Sequence, residues 1–186
     1  GKGKTAYPEG HPLTYIATSN APLRAGKGTL YEGGVRVPLI VRWPGQVPSG
    51  SISDAIVSSV DFYPTFLELI QGKTPENQVL DGVSMVPALT ENKFDPSREV
   101  FTHYPVFHHE QPMSALRKGN WKIVENLVSG EFELFNLKYD VNEMTDLKYS
   151  YTEKTAEMKE ALSMWQSDTK AQNPVPNPDF DPYKRY

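Results

Sequence analysis

Four short runs of strand-forming residues lie between residues 99 and 137, and they constrain the fold more than any other feature of the chain. They read EVFTHY, MSALRKG, NWKIVENL and EFELFNL. Turn-forming residues separate the later runs at 118–120 and at 128–130. Short strands joined by such turns are typical of antiparallel hairpins. The pattern therefore predicts an antiparallel meander of about four strands.

A helix is predicted directly after these strands. Ser150 and Glu153 have the spacing of a capping box, which predicts a helix from about residue 151 to 167. Large apolar side chains then recur at helical spacing and would pack the helix onto the sheet; they are Met158, Leu162 and Trp165. Core packing is the simplest explanation of this stripe, and it is the one adopted.

The first half of the chain contains one predicted strand and two predicted helices. The run VPLIVRW (37–43) is apolar and β-branched, which suits a buried strand. DFYPTFLELIQG predicts a helix with Asp61 as its N-cap and an apolar stripe on one side; the stripe is Phe62, Phe66 and Leu69. Residues 80–90 predict a turn and a short helical piece.

Composition excludes several classes of protein. The net charge of −4 and the pI of about 5.6 argue against a nucleic-acid partner, which usually requires a basic surplus. No apolar run approaches the roughly 18 residues needed to span a membrane. The absence of cysteine excludes disulfides and a thiol nucleophile. The four histidines, at 11, 103, 108 and 109, do not have the spacing of a metal site.

The N-terminus, GKGKTAYPEGHPLTY, has neither an initiating Met nor a signal-peptide core, so we expect the chain to be the back part of a longer protein. GKGKT resembles the end of a phosphate-binding P-loop. That motif needs an earlier glycine, a strand before it and a helix after it, and Pro8 and Pro12 disfavour such a helix. We therefore reject the P-loop interpretation.

The stretch LRAGKGTLYEGGVRVPLIVRWPG (23–45) contains the best candidate for a functional residue. Lys27 lies between two glycines, and Gly33 and Gly34 follow shortly after. Glycines allow tight turns and a close approach of the backbone to a ligand. Lys27 would project into a cleft at the end of the 37–43 strand, where open α/β sheets bind ligands. Glu32 and Arg36 would brace the loop by pairing with each other or with neighbouring residues. On the residues alone, a solvated lysine on a turn stays an open alternative.

A family resemblance favours the functional interpretation. SNAPLRAGKGTLYEGGVRVPLIVRWPG closely resembles the segment that follows the metal-binding Asp-Asn-Gly of type I sulfatases, the formylglycine-dependent enzymes of the alkaline-phosphatase-like superfamily. The resemblance continues in family order over essentially the whole chain, through VSSVDFYPTFLELIQG, LDGVSMVPAL, HYPVFHHEQPMSALRKGNWKIVE, ELFNLKYDVNEMTDL and NPVPNPDFDPY. It is strongest to bacterial sulfatases that act on polysaccharides.

The resemblance implies an α/β, alkaline-phosphatase-like sulfatase fold. Residues 1–97 would form the C-terminal part of the large α/β domain. Residues 98–186 would form a small C-terminal subdomain with the antiparallel sheet, the 151–167 helix and a Pro-rich tail. It also implies a periplasmic or extracellular location.

The resemblance also assigns site residues. Lys27 matches the family lysine that contacts the sulfate group, a catalytic and substrate-binding role. His103 matches a histidine that leans over the active-site mouth and often contacts the sugar. His108 and His109 lie where family members vary, which implies a role in substrate choice.

Other parts of the family's site have no counterpart in this sequence. The nucleophile motif Cys/Ser-x-Pro-x-Arg, whose first residue becomes formylglycine, is absent, as are the acidic residues that hold calcium. The resemblance therefore implies formylglycine and Ca²⁺ on residues outside this chain and assigns no metal ligand within it. The implied partners are the N-terminal part of the same sulfatase and a sulfated glycan.

Three functional hypotheses follow from the sequence. The chain is part of a working sulfatase, or it is a non-catalytic fragment that binds sulfated glycan through Lys27 and His103. The third hypothesis is a phosphonate or phosphate monoester hydrolase of the same superfamily.

The missing nucleophile and metal ligands lead to a first prediction. The 186-residue chain alone should hydrolyse no sulfate ester, because it supplies neither the attacking group nor the metal site. Release of sulfate from an aryl sulfate by the pure, calcium-supplemented chain would contradict this.

Overall fold

The computed structural model describes residues 19–107, 110–175 and 177–179. Its helices and strands are α1 (Glu32–Val35), a 3-10 helix (Ser59–Asp61), α2 (Phe62–Leu69), α3 (Val86–Glu91), β1 (Glu99–Tyr104), β2 (Met113–Lys118), β3 (Trp121–Asn126), β4 (Phe132–Asn136) and α4 (Thr152–Asp168).

These elements belong to two compact units. The sheet unit comprises the described residues of Gly1–Arg36, Phe101–Leu116 and Trp121–Tyr186. The helical unit comprises Val37–Val100 and Arg117–Asn120. The loop that carries Lys27 therefore belongs to the same unit as most of the antiparallel sheet.

The four strands form one sheet in the order β1-β2-β3-β4, as predicted. Strand β3 pairs with β4 in antiparallel register, with Trp121 opposite Asn136 and Glu125 opposite Phe132. Gly119, in the turn between β2 and β3, has a φ of +57°, a conformation that glycine adopts without steric cost.

Side chains alternate along the strands and give the sheet two apolar faces. Neighbouring residues of β3, Ile123 and Val124, pack in different clusters, as the period of two in a strand requires. One cluster contains loop residues: Leu30, Tyr31, Met113, Ala115, Val124, Phe135 and Leu137. The other contains helix residues: Leu116, Ile123, Leu134, Met158 and Leu162. The loop before Arg36 thus covers one face of the sheet, and α4 covers the other.

Helix α4 confirms the predicted apolar stripe but not the predicted cap. Met158 and Leu162 are fully buried, and Trp165 packs against their cluster. Ser150 does not cap the helix; the N-cap residue is Tyr151, and it makes no side-chain capping bond. Because the helix begins one residue later than the capping box requires, the Ser150 amide instead donates to the carbonyl of Leu147 in the preceding turn.

The helical unit contradicts the strand predicted at 37–43. No strand is formed there, and Val37 and Ile40 are 78% and 90% exposed. A buried strand needs neighbouring strands for its backbone hydrogen bonds, and no strand of the described residues pairs with this run. Helices α2 and α3 form as predicted, although the predicted stripe of α2 is exposed to solvent; its members are Phe62, Phe66 and Leu69.

Asp61 precedes α2 as predicted, but its carboxylate does not cap that helix. It accepts two hydrogen bonds from Arg98, at 2.6 and 2.7 Å, and one each from the backbone N–H groups of Ser58 and Val83. Asp61 is completely buried, and the Arg98 side chain is 14% exposed. Burial acts to raise the pKa of Asp61, but the hydrogen bonds from Arg98 and the backbone outweigh it and hold the pKa below its ordinary value.

Removing the cation of this pair should destabilise the protein. Arg98→Met leaves a buried, unpaired carboxylate and should lower the free energy of unfolding by about 3 kcal/mol near pH 7. Because the pKa of Asp61 is lower in the folded protein, its carboxylate stabilises the fold fully above the unfolded pKa of about 4. This stabilisation is lost as the pH falls through the pKa of the folded state. The deficit of the variant should therefore shrink in acid. Urea unfolding at several pH values measures both effects.

Lys93→Met is the matched control, because it breaks the exposed Lys93–Glu91 pair. It should change the free energy of unfolding by less than about 1 kcal/mol. Equal losses in the two variants, or a deficit that does not depend on pH, would contradict the role given to Asp61 and Arg98.

Candidate functional site

Residues 24–34 form a closed loop, here called the Lys27 loop. The Gly33 amide donates to the carbonyl of Arg24 at 2.9 Å, which ties the two ends of the loop together. Across the tip, the amide and the hydroxyl of Thr29 both donate to the carbonyl of Gly26, at 3.2 and 2.9 Å. The loop therefore holds its shape through its own backbone, with Lys27 in the turn that Gly26 and Thr29 close.

Three of the four glycines are required by this shape. A Cβ on Gly33 would lie 2.4 Å from the carbonyl oxygens of Arg24 and Ala25, and one on Gly34 would lie 2.2 Å from that of Thr29. Gly28 has a φ of +93°. Gly26 meets neither condition. The close approach predicted for the glycines is thus an approach to the loop's own backbone.

The two cations of the loop have different surroundings. Arg24 lies 3.7 Å from the centre of the Tyr31 ring and donates to Glu133 at 3.2 Å and to the carbonyl of Glu143 at 3.1 Å. Lys27 is exposed, and no side chain in the described part of the chain pairs with its ammonium group. Arg24 therefore fastens the loop, while Lys27 stays available to an anion.

Tyr31 anchors the far side of the loop to the sheet. Its ring packs edge-on against Phe135, with centroids 6.5 Å apart, and its hydroxyl donates a short hydrogen bond to Glu133 on β4. Burial, reinforced by Glu133, raises the pKa of Tyr31 well above its ordinary value. The phenol consequently stays protonated and keeps donating.

One buried residue of the loop and two buried residues outside it form what we call the charge cluster: Glu32, Lys122 and Glu143. The Lys122 ammonium lies 2.9 Å from Glu32 and 2.8 Å from Glu143, and all three side chains are at most 3% exposed. The second oxygen of Glu143 accepts the backbone N–H of Glu32 at 2.6 Å. Burial raises the pKa of Glu143, although Lys122 opposes this effect.

The predicted bracing by Glu32 and Arg36 is confirmed, since the two side chains lie 3.5 Å apart. The sequence analysis missed Lys122, which is the buried partner of Glu32. One feature of the sequence indicated that Lys122 is buried. It is the single charged residue in the apolar run WKIV, and the alternation of a strand places it on the same face as Val124.

His103 lies on the other face of the sheet, beside Trp165 of α4. Its Nδ1 is 3.2 Å from the hydroxyl of Ser114, and its Nε2 is 2.8 Å from the carbonyl oxygen of Gln172. The structure therefore does not bring His103 together with Lys27. The other two predicted substrate-binding residues, His108 and His109, lie outside the described residues.

No metal site is built from the described residues. Within residues 19–107, 110–175 and 177–179, no group of three or more histidine, aspartate and glutamate side chains has the geometry to hold a metal ion. Glu32 and Glu143 lie close together, but the Lys122 ammonium contacts both. An ammonium group in the place of a metal ion means that these residues do not fit calcium. No helix of the described part has the length and apolarity needed to cross a membrane.

Comparisons with known proteins place the chain in a family. The family model described as N-sulphoglucosamine sulphohydrolase, C-terminal, matches residues 25–168. A protein of Formosa agariphila named sulfatase is 37% identical over 142 residues, which is 70% of this chain and 26% of that protein. The family model therefore spans the Lys27 loop from Ala25 onward, the sheet and all of α4.

Solved structures agree. The crystal structure of Ps i-CgsB in complex with k-i-k-neocarrahexaose is similar with a TM-score of 0.72 and 33% identity, over 82% of this chain and 33% of that one. The structure of BT4656 in complex with its substrate D-glucosamine-2-N,6-O-disulfate has a TM-score of 0.60 and 28% identity, over 73% and 29%. The chain thus spans about a quarter to a third of the length of these relatives. It belongs to the sulfatase family and corresponds to its C-terminal portion.

Proposed function

We propose that this chain is the C-terminal part of a sulfatase that hydrolyses sulfate esters of an oligosaccharide or polysaccharide. Its family membership and its coverage of 26–33% of the relatives' lengths support this proposal. "The complete enzyme" below means this chain together with the N-terminal part of the same sulfatase. The nucleophile and the calcium ligands would lie on that N-terminal part.

The observation that carries the proposal is the exposed ammonium of Lys27 on a loop whose two ends are bonded to each other and to the sheet unit. The sulfuryl oxygens and the bridging oxygen gain negative charge as the S–O bond breaks. A lysine about 4 Å away contributes roughly 4 kcal/mol at an effective dielectric of about 20. A loop that is already ordered does not need to reorganise during the reaction, so no reorganisation energy is subtracted from this stabilisation of the transition state.

Lys27 alone would not select sulfate over other anions, because an ammonium group acts as a point charge. We propose that selectivity for the ester arises in the N-terminal part and that selectivity for the sugar arises around His103, His108 and His109. Two solved relatives support a sulfated sugar as the substrate class: one binds k-i-k-neocarrahexaose, and the other has D-glucosamine-2-N,6-O-disulfate as its substrate. A periplasmic or extracellular location is part of the same proposal.

The domain division predicted from the sequence is part of the proposal as well. Residues 1–97 would complete the large domain, and 98–186 would form the subdomain. The apolar side chains that the helical unit leaves exposed at 37–40 and along α2 support a place for that unit in a larger domain, since an N-terminal partner would cover them. The described residues before Val37 belong instead to the sheet unit. A non-catalytic glycan-binding fragment and a phosphonate or phosphate monoester hydrolase are less well supported, because the family to which the chain belongs is that of the sulfatases.

Removing the Lys27 ammonium should slow the reaction. In the complete enzyme, Lys27→Ala should reduce kcat by about 10²- to 10³-fold, the usual loss for one transition-state donor. It should cost little stability, because the exposed side chain buries almost nothing. Lys73→Ala, at another exposed loop lysine, is the control and should leave kcat unchanged. A near-normal kcat in Lys27→Ala would contradict the proposal that Lys27 stabilises the transition state.

The proposed sugar contact of His103 is tested by comparing two substrates. His103→Ala in the complete enzyme should weaken turnover of a sulfated oligosaccharide more than turnover of a small aryl sulfate, because only the oligosaccharide reaches beyond the sulfate group. Ser114→Ala is the control, since it removes only the partner of Nδ1. Equal losses on both substrates would show that His103 acts through the structure.

A further inference from the structure

The geometry of the charge cluster points to a positioning role for Lys122. We propose that Lys122, held between Glu32 and Glu143, fixes the Lys27 loop in the place where it meets sulfate. This inference rests on the function proposed for Lys27. Lys122 itself is buried at 3% exposure, so it acts through the loop rather than on the substrate.

The cluster joins three separate parts of the sheet unit. Lys122 belongs to β3, Glu32 begins α1 at the end of the Lys27 loop, and Glu143 lies in the segment after β4. Lys122 contacts both carboxylates, and Glu143 also accepts the backbone N–H of Glu32. The loop is therefore bonded to the rest of the cluster through its backbone as well as through the Glu32 side chain.

A second set of contacts holds the other end of the loop. Arg24 donates to the carbonyl of Glu143, so the residue that accepts from Glu32 also accepts from the loop's first residue. The Glu133 carboxylate accepts hydrogen bonds from both Arg24 and the Tyr31 hydroxyl. Both ends of the loop thus depend on the segment that Lys122 holds in place through Glu143.

Stability alone does not account for three buried charges. Apolar residues of similar volume often replace a buried ionic group without loss of stability, whereas in some proteins the ionic contacts fix the position of the segments that they join. The segment that this cluster holds in position is the loop that carries Lys27. Displacement of a catalytic group by about 1 Å can reduce a rate by 10²-fold, so such positioning has a large effect.

The test is a double-mutant cycle in the complete enzyme, with a small aryl sulfate as substrate. Lys122→Met removes the ammonium but keeps most of the volume of the side chain. It should lower kcat by about 10- to 100-fold when Lys27 is present, and by less than about 2-fold when Lys27 is already alanine. Arg98→Met is the control, because it breaks a buried pair in the helical unit; any effect it has should be the same in both backgrounds.

Each outcome of the cycle is informative. If Lys27→Ala lowers kcat and Lys122→Met lowers it further by the same factor in both backgrounds, the positioning role is overturned while the role of Lys27 stands. If Lys27→Ala leaves kcat unchanged, the proposed function of Lys27 fails, and the inference fails with it. Circular dichroism establishes whether each variant is folded.

A milder variant keeps the test decisive if Lys122→Met does not fold. Glu32→Gln retains an oxygen acceptor for Lys122 and removes one of the two negative charges. It should show the same dependence on Lys27 with a smaller factor, and equal factors in the two backgrounds would overturn the inference.

Discussion

The ammonium of Lys122 and the two carboxylates beside it constrain the rest of the sheet unit. Glu32 and Glu143 are 111 residues apart in the chain, yet one accepts the backbone N–H of the other, and both contact the same cation. A buried charge that loses its partner is costly, so the loop cannot slide over the sheet without a large penalty. The tight backbone contacts of Gly33 and Gly34 then define the loop's shape.

The sheet acts as a platform with different coverings on its two faces. Helix α4 covers one face through aliphatic and aromatic packing, which is not directional. The Lys27 loop covers the other face through directional ion pairs and hydrogen bonds as well as apolar contacts. The directional ion pairs and hydrogen bonds therefore hold the segment that carries the exposed Lys27.

Local patterns in the sequence predicted the elements that are stabilised locally. Strands β1 to β4, helix α2 and the stripe of α4 follow from periodicity and turn residues, and the structure confirms them. The run at 37–43 was predicted wrongly because a strand also needs neighbours, which the described residues do not provide. The pairs Asp61–Arg98 and Glu32–Lys122 are 37 and 90 residues apart, so no local pattern could show which residues pair. The family resemblance supplied the role of Lys27, which spacing alone left open.

A structure of the complete enzyme with a sulfate ester or sulfate bound tests the central claim most directly. The account predicts the Lys27 ammonium within hydrogen-bonding distance, about 3 Å, of a sulfate oxygen. It also predicts that the backbone of residues 24–34 superimposes on the unbound loop, with Lys122 still between Glu32 and Glu143. An ammonium directed away from the sulfate, or a loop that leaves the charge cluster when sulfate binds, would contradict it.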